Sequence, residues 1–223
     1  MNGLTYLDDR HEYRLNGIWK PGVTRVLADC GFNKGSDFFD EESRVRGQLV
    51  HKARFLVDEH APEAETLEDV LEVMDLGETI QPYVAGWVWF KRETGFKPIG
   101  HEQPMCLPDL NVCGTPDVWG LYPSGKLVLI DTKGWKSQGS RPKRAAEIQT
   151  AGYKLMLKHS LNLTADLRDI VALPGDGTFR VYRCSNPMDE AIFRACCMIW
   201  HDRANNKLID GLEGPSDRSN SNG

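Results

Sequence analysis

The sequence predicts an α/β fold, a central mixed β-sheet flanked by helices and preceded by a β-hairpin and a helical extension. Three observations predict it. Between about residues 41 and 93 the apolar residues recur at helical spacing, and over 97–131 they recur at the alternating spacing of strands. The later part then runs strands, helix, strands, helix, the order of a mixed layered architecture. Turn residues separate the strand runs at Pro123-Ser124-Gly125 and at Pro174-Gly175-Asp176-Gly177.

Taken in order, residues 4–7 and 13–15 read as a hairpin with turns at Asp8-Asp9 and Asn16-Gly17. Thr24 is placed to cap a short helix through Cys30, stopped by Gly31. Residues 41–59 form a helix whose stripe Val45, Leu49, Ala53 and Leu56 should face the core. Thr66 opens the next helix, with Asp69 completing an imperfect capping box, and a third helix covers about 81–93. Strands follow over 97–106, 111–121 and 126–131, then a helix over 144–159. Two strands, 167–173 and 178–184, precede a closing helix over 188–205. Trp87 and Trp89 are expected in the core. The whole is expected to be one domain over 1–212, an N-terminal part of about 1–95 and a core of about 96–205. Residues 213–223, without an apolar side chain, are expected to be a disordered tail.

The 223 residues are 40% hydrophobic and 26% charged, enough to bury a substantial core. The longest apolar run, from Ile80 to Phe90, is interrupted by Gln81, Pro82 and Gly86. A membrane span needs about 20 apolar residues, so none is expected. No basic stretch leading into an apolar one marks the N-terminus, so no secretory signal is expected. The six cysteines form no C-x-x-C pair, a pattern that suggests reduced thiols in a cytosolic protein. The net charge of −5 argues against a generally basic nucleic-acid binder. Yet residues 58–78 hold nine acidic side chains and no Lys or Arg, which leaves the rest of the chain at +4. Between Lys133 and Lys158 seven basic residues face Glu147 alone, a concentration suited to phosphate contact or to a solvated helix face.

Chemistry concentrates in Gly114-Thr115-Pro116-Asp117 and Asp131-Thr132-Lys133. Asp117 lies in an apolar strand run, and Asp131 ends another. Lys133 shares a strand face with Asp131 because side chains repeat every second residue. Neighbouring strands lie only about 4.8 Å apart, so two carboxylates and an ammonium can converge. Buried acids are costly unless paired or metal-bound, and two together raise each other's pKa unless a cation intervenes. A hard divalent cation on carboxylate oxygens satisfies both conditions.

These residues resemble the PD-(D/E)XK nuclease superfamily, with 13 residues between Asp117 and Asp131. Gln149 and Tyr153 are similar to the Q-x-x-x-Y motif of its RecB-like branch, and Gly47-Gln-Leu-Val-His51 to that branch's G-x-x-x-H element. The segments 13–17 and 22–27 resemble the opening of phage-encoded members. The resemblance spans about residues 10–185 and implies a restriction-endonuclease-like core. It implies that His51, Asp117, Asp131 and the backbone carbonyl of Thr132 bind Mg²⁺ or Mn²⁺, with Glu102 the candidate for an additional acid. Lys133 would orient or deprotonate the attacking water, or stabilise charge on the phosphorane. Gln149 and Tyr153, one helical turn apart, would steady the site and contact DNA. Lys136, Arg141, Lys143 and Arg144 become candidates for gripping the DNA backbone, and Trp135 for stacking on an unpaired base.

The resemblance implies a metal-dependent exonuclease acting on DNA ends in phage recombination, repair or genome processing, in a bacterial host's cytosol. A flap or structure-selective endonuclease on the same site is the runner-up, and a silent DNA-binding protein of the same fold the alternative from another class. The resemblance to lambda-type exonucleases suggests a ring-forming homo-oligomer, with a single-strand annealing or recombination protein as a further partner. Cys184, Cys196 and Cys197 have the wrong spacing for an iron–sulfur trio, so no cluster is expected. Gly120 to Lys126 resembles a phosphate-binding loop but lacks its Ser/Thr, and a strand follows in place of a helix.

Overall fold

The structure, a computed structural model, describes residues 3–7, 12–32, 41–134, 144–206 and 209. The expected tail at 213–223 lies outside them, as does the turn at Asp8-Asp9. Strands β1 (Leu4–Leu7), β2 (Glu12–Leu15) and β3 (Ile18–Lys20) form an antiparallel N-terminal sheet. Asn16 and Gly17 make the second turn at φ 52° and 79°, the left-handed backbone that tight hairpins require. Helix α1 (Val23–Asp29) follows. Its N-cap is Gly22, with no side-chain cap, so Thr24 lies inside the helix and does not cap it.

The helical extension comprises α2 (Glu41–His60), α3 (Leu67–Leu71) and α4 (Gln81–Thr94). Thr66 and Asp69 form a complete capping box on α3. On α2 the buried stripe is Val50, Ala53 and Val57, while Val45 and Leu49 are 40% and 47% exposed. The expected stripe is therefore rotated, because the apolar spacing alone allowed two registers and tertiary packing selects one. Trp87 is fully buried as expected, but Trp89 is 39% exposed and rests edge-on against Phe179.

The central sheet has the order β10-β9-β8-β7-β4, built from β4 (Lys97–His101), β7 (Val118–Leu121), β8 (Leu127–Gly134), β9 (Leu167–Leu173) and β10 (Arg180–Arg183). All neighbours are antiparallel except β8 and β9, whose parallel pairing is bridged by helix α5 (Arg144–Leu161). Helix α6 (Asp189–Asn205) packs on α5. The expected strands 97–106 and 111–121 are each split, because a small hairpin of β5 (Met105–Leu107) and β6 (Val112–Gly114) leaves the main sheet. Asp117 therefore stands in the irregular joint before β7, not within a strand. Cys106 and Cys113 face each other across this hairpin and form a disulfide, which corrects the expectation of reduced thiols throughout.

Alternate residues of β8 serve two cores. Leu127 and Leu129 pack with α1, α5 and α6, whereas Val128 and Ile130 pack with α2 and α4. Neither face reaches solvent, and the strand reads as a continuous apolar run. Gly120, in the middle of β7, is required by close approach: a β-carbon there would meet the Lys97 carbonyl at 2.1 Å and the Phe96 ring at 2.7 Å. Gly120→Ala is expected to destabilise the protein by about 1–3 kcal/mol, the usual cost of overpacking, measured by urea unfolding. An unchanged midpoint would show that β4 and β7 are not packed as described.

Candidate active site

The functional side chains gather at one end of the central sheet, where β7 begins and β8 ends. The strand period that buries Leu127 and Leu129 toward α5 carries Asp131 and Lys133 to the same face. Thr132 and Gly134 point to the other, and a β-carbon on Gly134 would touch Val50 of α2. Helix α2 brings His51 to that second side. Glu102 arrives from the end of β4, with its backbone at φ 48°, a conformation non-glycine residues adopt rarely. Its N–H is shared between the carbonyls of Pro116 and Asp117, 3.1 Å from each, which holds the two acid-bearing joints together.

Asp117 sits between the two sides. Its Oδ2 accepts hydrogen bonds from the Thr132 N–H at 2.7 Å and the Thr132 hydroxyl at 2.9 Å, and lies 3.4 Å from His51 Nδ1. His51 Nδ1 is also 3.8 Å from Glu102 Oε1. One ligand atom from each of His51, Glu102 and Asp117 lies within 4.8 Å of the others, a spacing suited to one metal ion. Asp131, almost wholly buried, is held by Lys133, whose Nζ is 2.8 Å from Oδ2 and 3.1 Å from Oδ1.

The two aspartates are driven apart in acidity. Burial and the nearby Asp117 charge push Asp131 up to about 6, against the opposing pull of Lys133. Burial also penalises the Asp117 carboxylate, but His51, Lys133, Arg54 and the Thr132 N–H outweigh it and hold Asp117 below the usual range. Burial works against the His51 imidazolium, yet Asp117 and Glu102 raise its pKa above the ordinary value. Lys133 likewise stays an ammonium: burial disfavours the charge, and Asp131 and Asp117 more than restore it.

On α5, Gln149 Nε2 donates to the Tyr153 hydroxyl at 2.8 Å and approaches the Thr24 hydroxyl of α1 at 3.4 Å. Tyr153 is 5% exposed and packs against Gly114, so Gln149 alone of the pair reaches the surface. Thr132 engages Asp117 through its N–H and hydroxyl. Arg144, at the start of α5, is ion-paired with Glu147 and with the buried Asp189. Trp135, Lys136, Arg141 and Lys143 lie outside the described residues.

Two contributors went unnoticed in the sequence. Arg54, one turn after His51 on α2, is buried and bonds to Glu102 and to the Asp117 carbonyl. An arginine amid the stripe Val50, Ala53 and Val57 was the available signal. Tyr13 of β2 meets the Thr115 hydroxyl at 2.9 Å, which docks the N-terminal sheet on the Gly114–Asp117 segment.

No protein-family model matches this chain, and no curated protein matches it in sequence. Among solved structures, an alkaline exonuclease from Laribacter hongkongensis is similar over 62% of this chain and 75% of its own, at 14% identity and a TM-score of 0.43. The protein SSO0001 is similar over 41% of this chain at 19% identity and a TM-score of 0.31, and the match spans 40% of that protein's length. What the site can do follows from its own residues.

The split acidity has a direct consequence. Carboxyl-carbon NMR of the metal-free protein, assigned with Asp131→Asn, is expected to show Asp131 titrating near 6 and Asp117 ionised down past 3.8. Because the folded state binds the Asp131 proton more tightly than the unfolded one, this group favours folding below about pH 4 and loses that contribution as pH rises through about 6. Equal titration of the two would sink this electrostatic description.

Proposed function

We propose that the chain is a Mg²⁺- or Mn²⁺-dependent deoxyribonuclease of restriction-endonuclease-like core, an exonuclease acting on DNA ends in phage recombination, repair or genome processing. The observation that carries the reading is the placement of Asp117, in the joint before β7, and Asp131, within the adjacent β8, with Lys133 on Asp131 and His51 and Glu102 beside Asp117. The donor set fits such an ion: carboxylate oxygens suit a hard divalent cation, and one imidazole shifts the preference toward Mn²⁺. His51, Glu102 and Asp117 would hold it; Asp131, outside that cluster and paired with Lys133, and the Thr132 carbonyl would be further ligands. When bound, the ion supplies Lewis-acid polarisation of the phosphate and lowers the pKa of water.

The chain's own groups do the rest. Lys133 is 30% exposed and tethered to Asp131, so its ammonium stands ready where negative charge builds on the phosphorane. Thr132 fixes the Asp117 carboxylate by two hydrogen bonds and prevents its rotation. Tyr153, buried under Gly114, orients Gln149 toward the DNA. The basic residues Lys136, Arg141 and Lys143 contribute backbone contacts, with Trp135 as a stacking surface. Arg144 joins them only by exchanging Glu147 and Asp189 for phosphate.

The test is end-labelled linear duplex beside covalently closed circular DNA, each with Mg²⁺, Mn²⁺ or EDTA, for the wild type and Lys133→Ala. Metal-dependent loss of the linear DNA alone is expected, with turnover falling by about 10²–10³ in Lys133→Ala while DNA affinity is retained. Cutting of the circle would convert the reading to an endonuclease. Silence on linear, single-stranded and flapped DNA would leave a DNA-binding protein of nuclease fold.

A further inference from the structure

We propose that Arg54 is the positioning residue of this site, its buried guanidinium fixing Glu102 and the main chain of Asp117 so that their oxygens and the His51 ring converge on one divalent cation. The inference rests on the metal-dependent nuclease reading and deepens it. Arg54 lies three residues after His51, on the same face of α2. Its side chain is 1% exposed. Nη2 donates to Glu102 Oε1 at 2.8 Å and to the Asp117 carbonyl at 3.1 Å, and Nη1 donates to Asp58 Oδ2 at 3.4 Å. The guanidinium also lies over the Trp87 ring, 5.2 Å from its centroid.

Stability alone does not account for this residue. Its Nε is buried without a hydrogen bond among the described residues. An incompletely satisfied buried ion pair serves a core no better than well-packed apolar side chains do. What arginine supplies beyond a point charge is a planar fork with two separate ends, here Nη1 on Asp58 and Nη2 on Glu102 and the Asp117 carbonyl. That fork meets a real need here. The Glu102 carboxylate is 32% exposed and lies 3.8 Å from His51, so the 2.8 Å bond to Arg54 is its shortest contact. The same guanidinium nitrogen and the Glu102 N–H both hold the Asp117 carbonyl, which locks the left-handed Glu102 backbone in place. The positive charge that would oppose a metal ion is offset from behind by Asp58, itself held by Lys91 at 3.0 Å and the Trp87 indole at 2.9 Å.

The experiment is Mn²⁺ binding to the DNA-free full-length protein, by calorimetry and electron paramagnetic resonance, for wild type, Arg54→Lys, Glu102→Gln and the double variant. Circular dichroism checks that each is folded. Lysine keeps the charge, but its single nitrogen cannot stay on Asp58 at one side while holding Glu102 and the Asp117 carbonyl at the other. Arg54→Lys is expected to weaken Mn²⁺ binding by about ten-fold or more. The double variant should fall well short of the product of the two single effects, because Arg54 acts in part through Glu102. Wild-type affinity in Arg54→Lys or in Glu102→Gln, or effects that simply multiply, would overturn the role of Arg54 while leaving the metal site standing. A wild type that binds no Mn²⁺ would overturn both this role and the nuclease reading. If Arg54→Lys does not fold, Arg54→Gln carries the same expectation and the same refutation.

Discussion

A carboxylate taken out of water must be repaid by partners, and Asp117 is the group whose repayment organises this protein. Left bare, a buried charge costs several kcal/mol. Asp117 finds the Thr132 N–H and hydroxyl on the neighbouring strand and His51 on α2, while Arg54 and the Glu102 N–H hold its carbonyl. These partners come from well-separated parts of the chain. Satisfying the carboxylate and the carbonyl of one residue therefore fixes α2 against the sheet, the joint after β4, and the end of β8. The site does not sit on a finished fold, because the same contacts that place its ligands also join the helical extension to the sheet.

Strand β8 makes that union possible. Its apolar residues feed one core toward α5 and another toward α2 and α4, so the strand is gripped from both faces. Just beyond Ile130 the alternation continues with polar groups. Asp131 and Lys133 continue the α5 face, and Thr132 continues the α2 face toward Asp117. A one-residue slip would exchange the two sets and set Asp131 against apolar partners, so the cores enforce the register that the chemistry needs. The rigidity of the acidic end is borrowed from Leu129 and Ile130, both without exposed surface.

How much of this was legible in the sequence follows from which signals are local. Helices α2, α4, α5 and α6 carry long periodic patterns, and the capping box at Thr66 and Asp69 is self-contained, so these could be read directly. Asp117, Asp131 and Lys133 drew attention because their types are conspicuous in apolar runs, and His51 only through the resemblance carried by Gly47 and His51. The break at residues 115–117 had one local signal, Pro116, which has no N–H to give a ladder, but the pairing of β6 with β5 depends on residues outside the segment. The Cys106–Cys113 bridge depends on that same hairpin register and was hidden with it. Arg54 was missed for a different reason: a charge on a helix reads as solvent-facing until the neighbouring acids are known to lie behind it.

Those acids form part of a line of alternating sign. Lys91, Asp58, Arg54, Glu102, His51 and Asp117 follow one another at 3.0, 3.4, 2.8, 3.8 and 3.4 Å. Lys133, whose charge acts on Asp117, and Asp131 complete it. Unit charges about 4 Å apart near a protein surface interact by about 4 kcal/mol, so the order of signs matters more than their sum. Neutralising an interior member leaves two like charges facing each other across the gap. Loss of Glu102 sets Arg54 toward the His51 imidazolium and favours the neutral ring, while loss of Lys133 sets Asp117 against Asp131 and favours protonation of one of them. The ends of the line are different. Asp131 is the aspartate of the pair whose pKa rises, because its burial and the Asp117 charge together outweigh the close Lys133 cation.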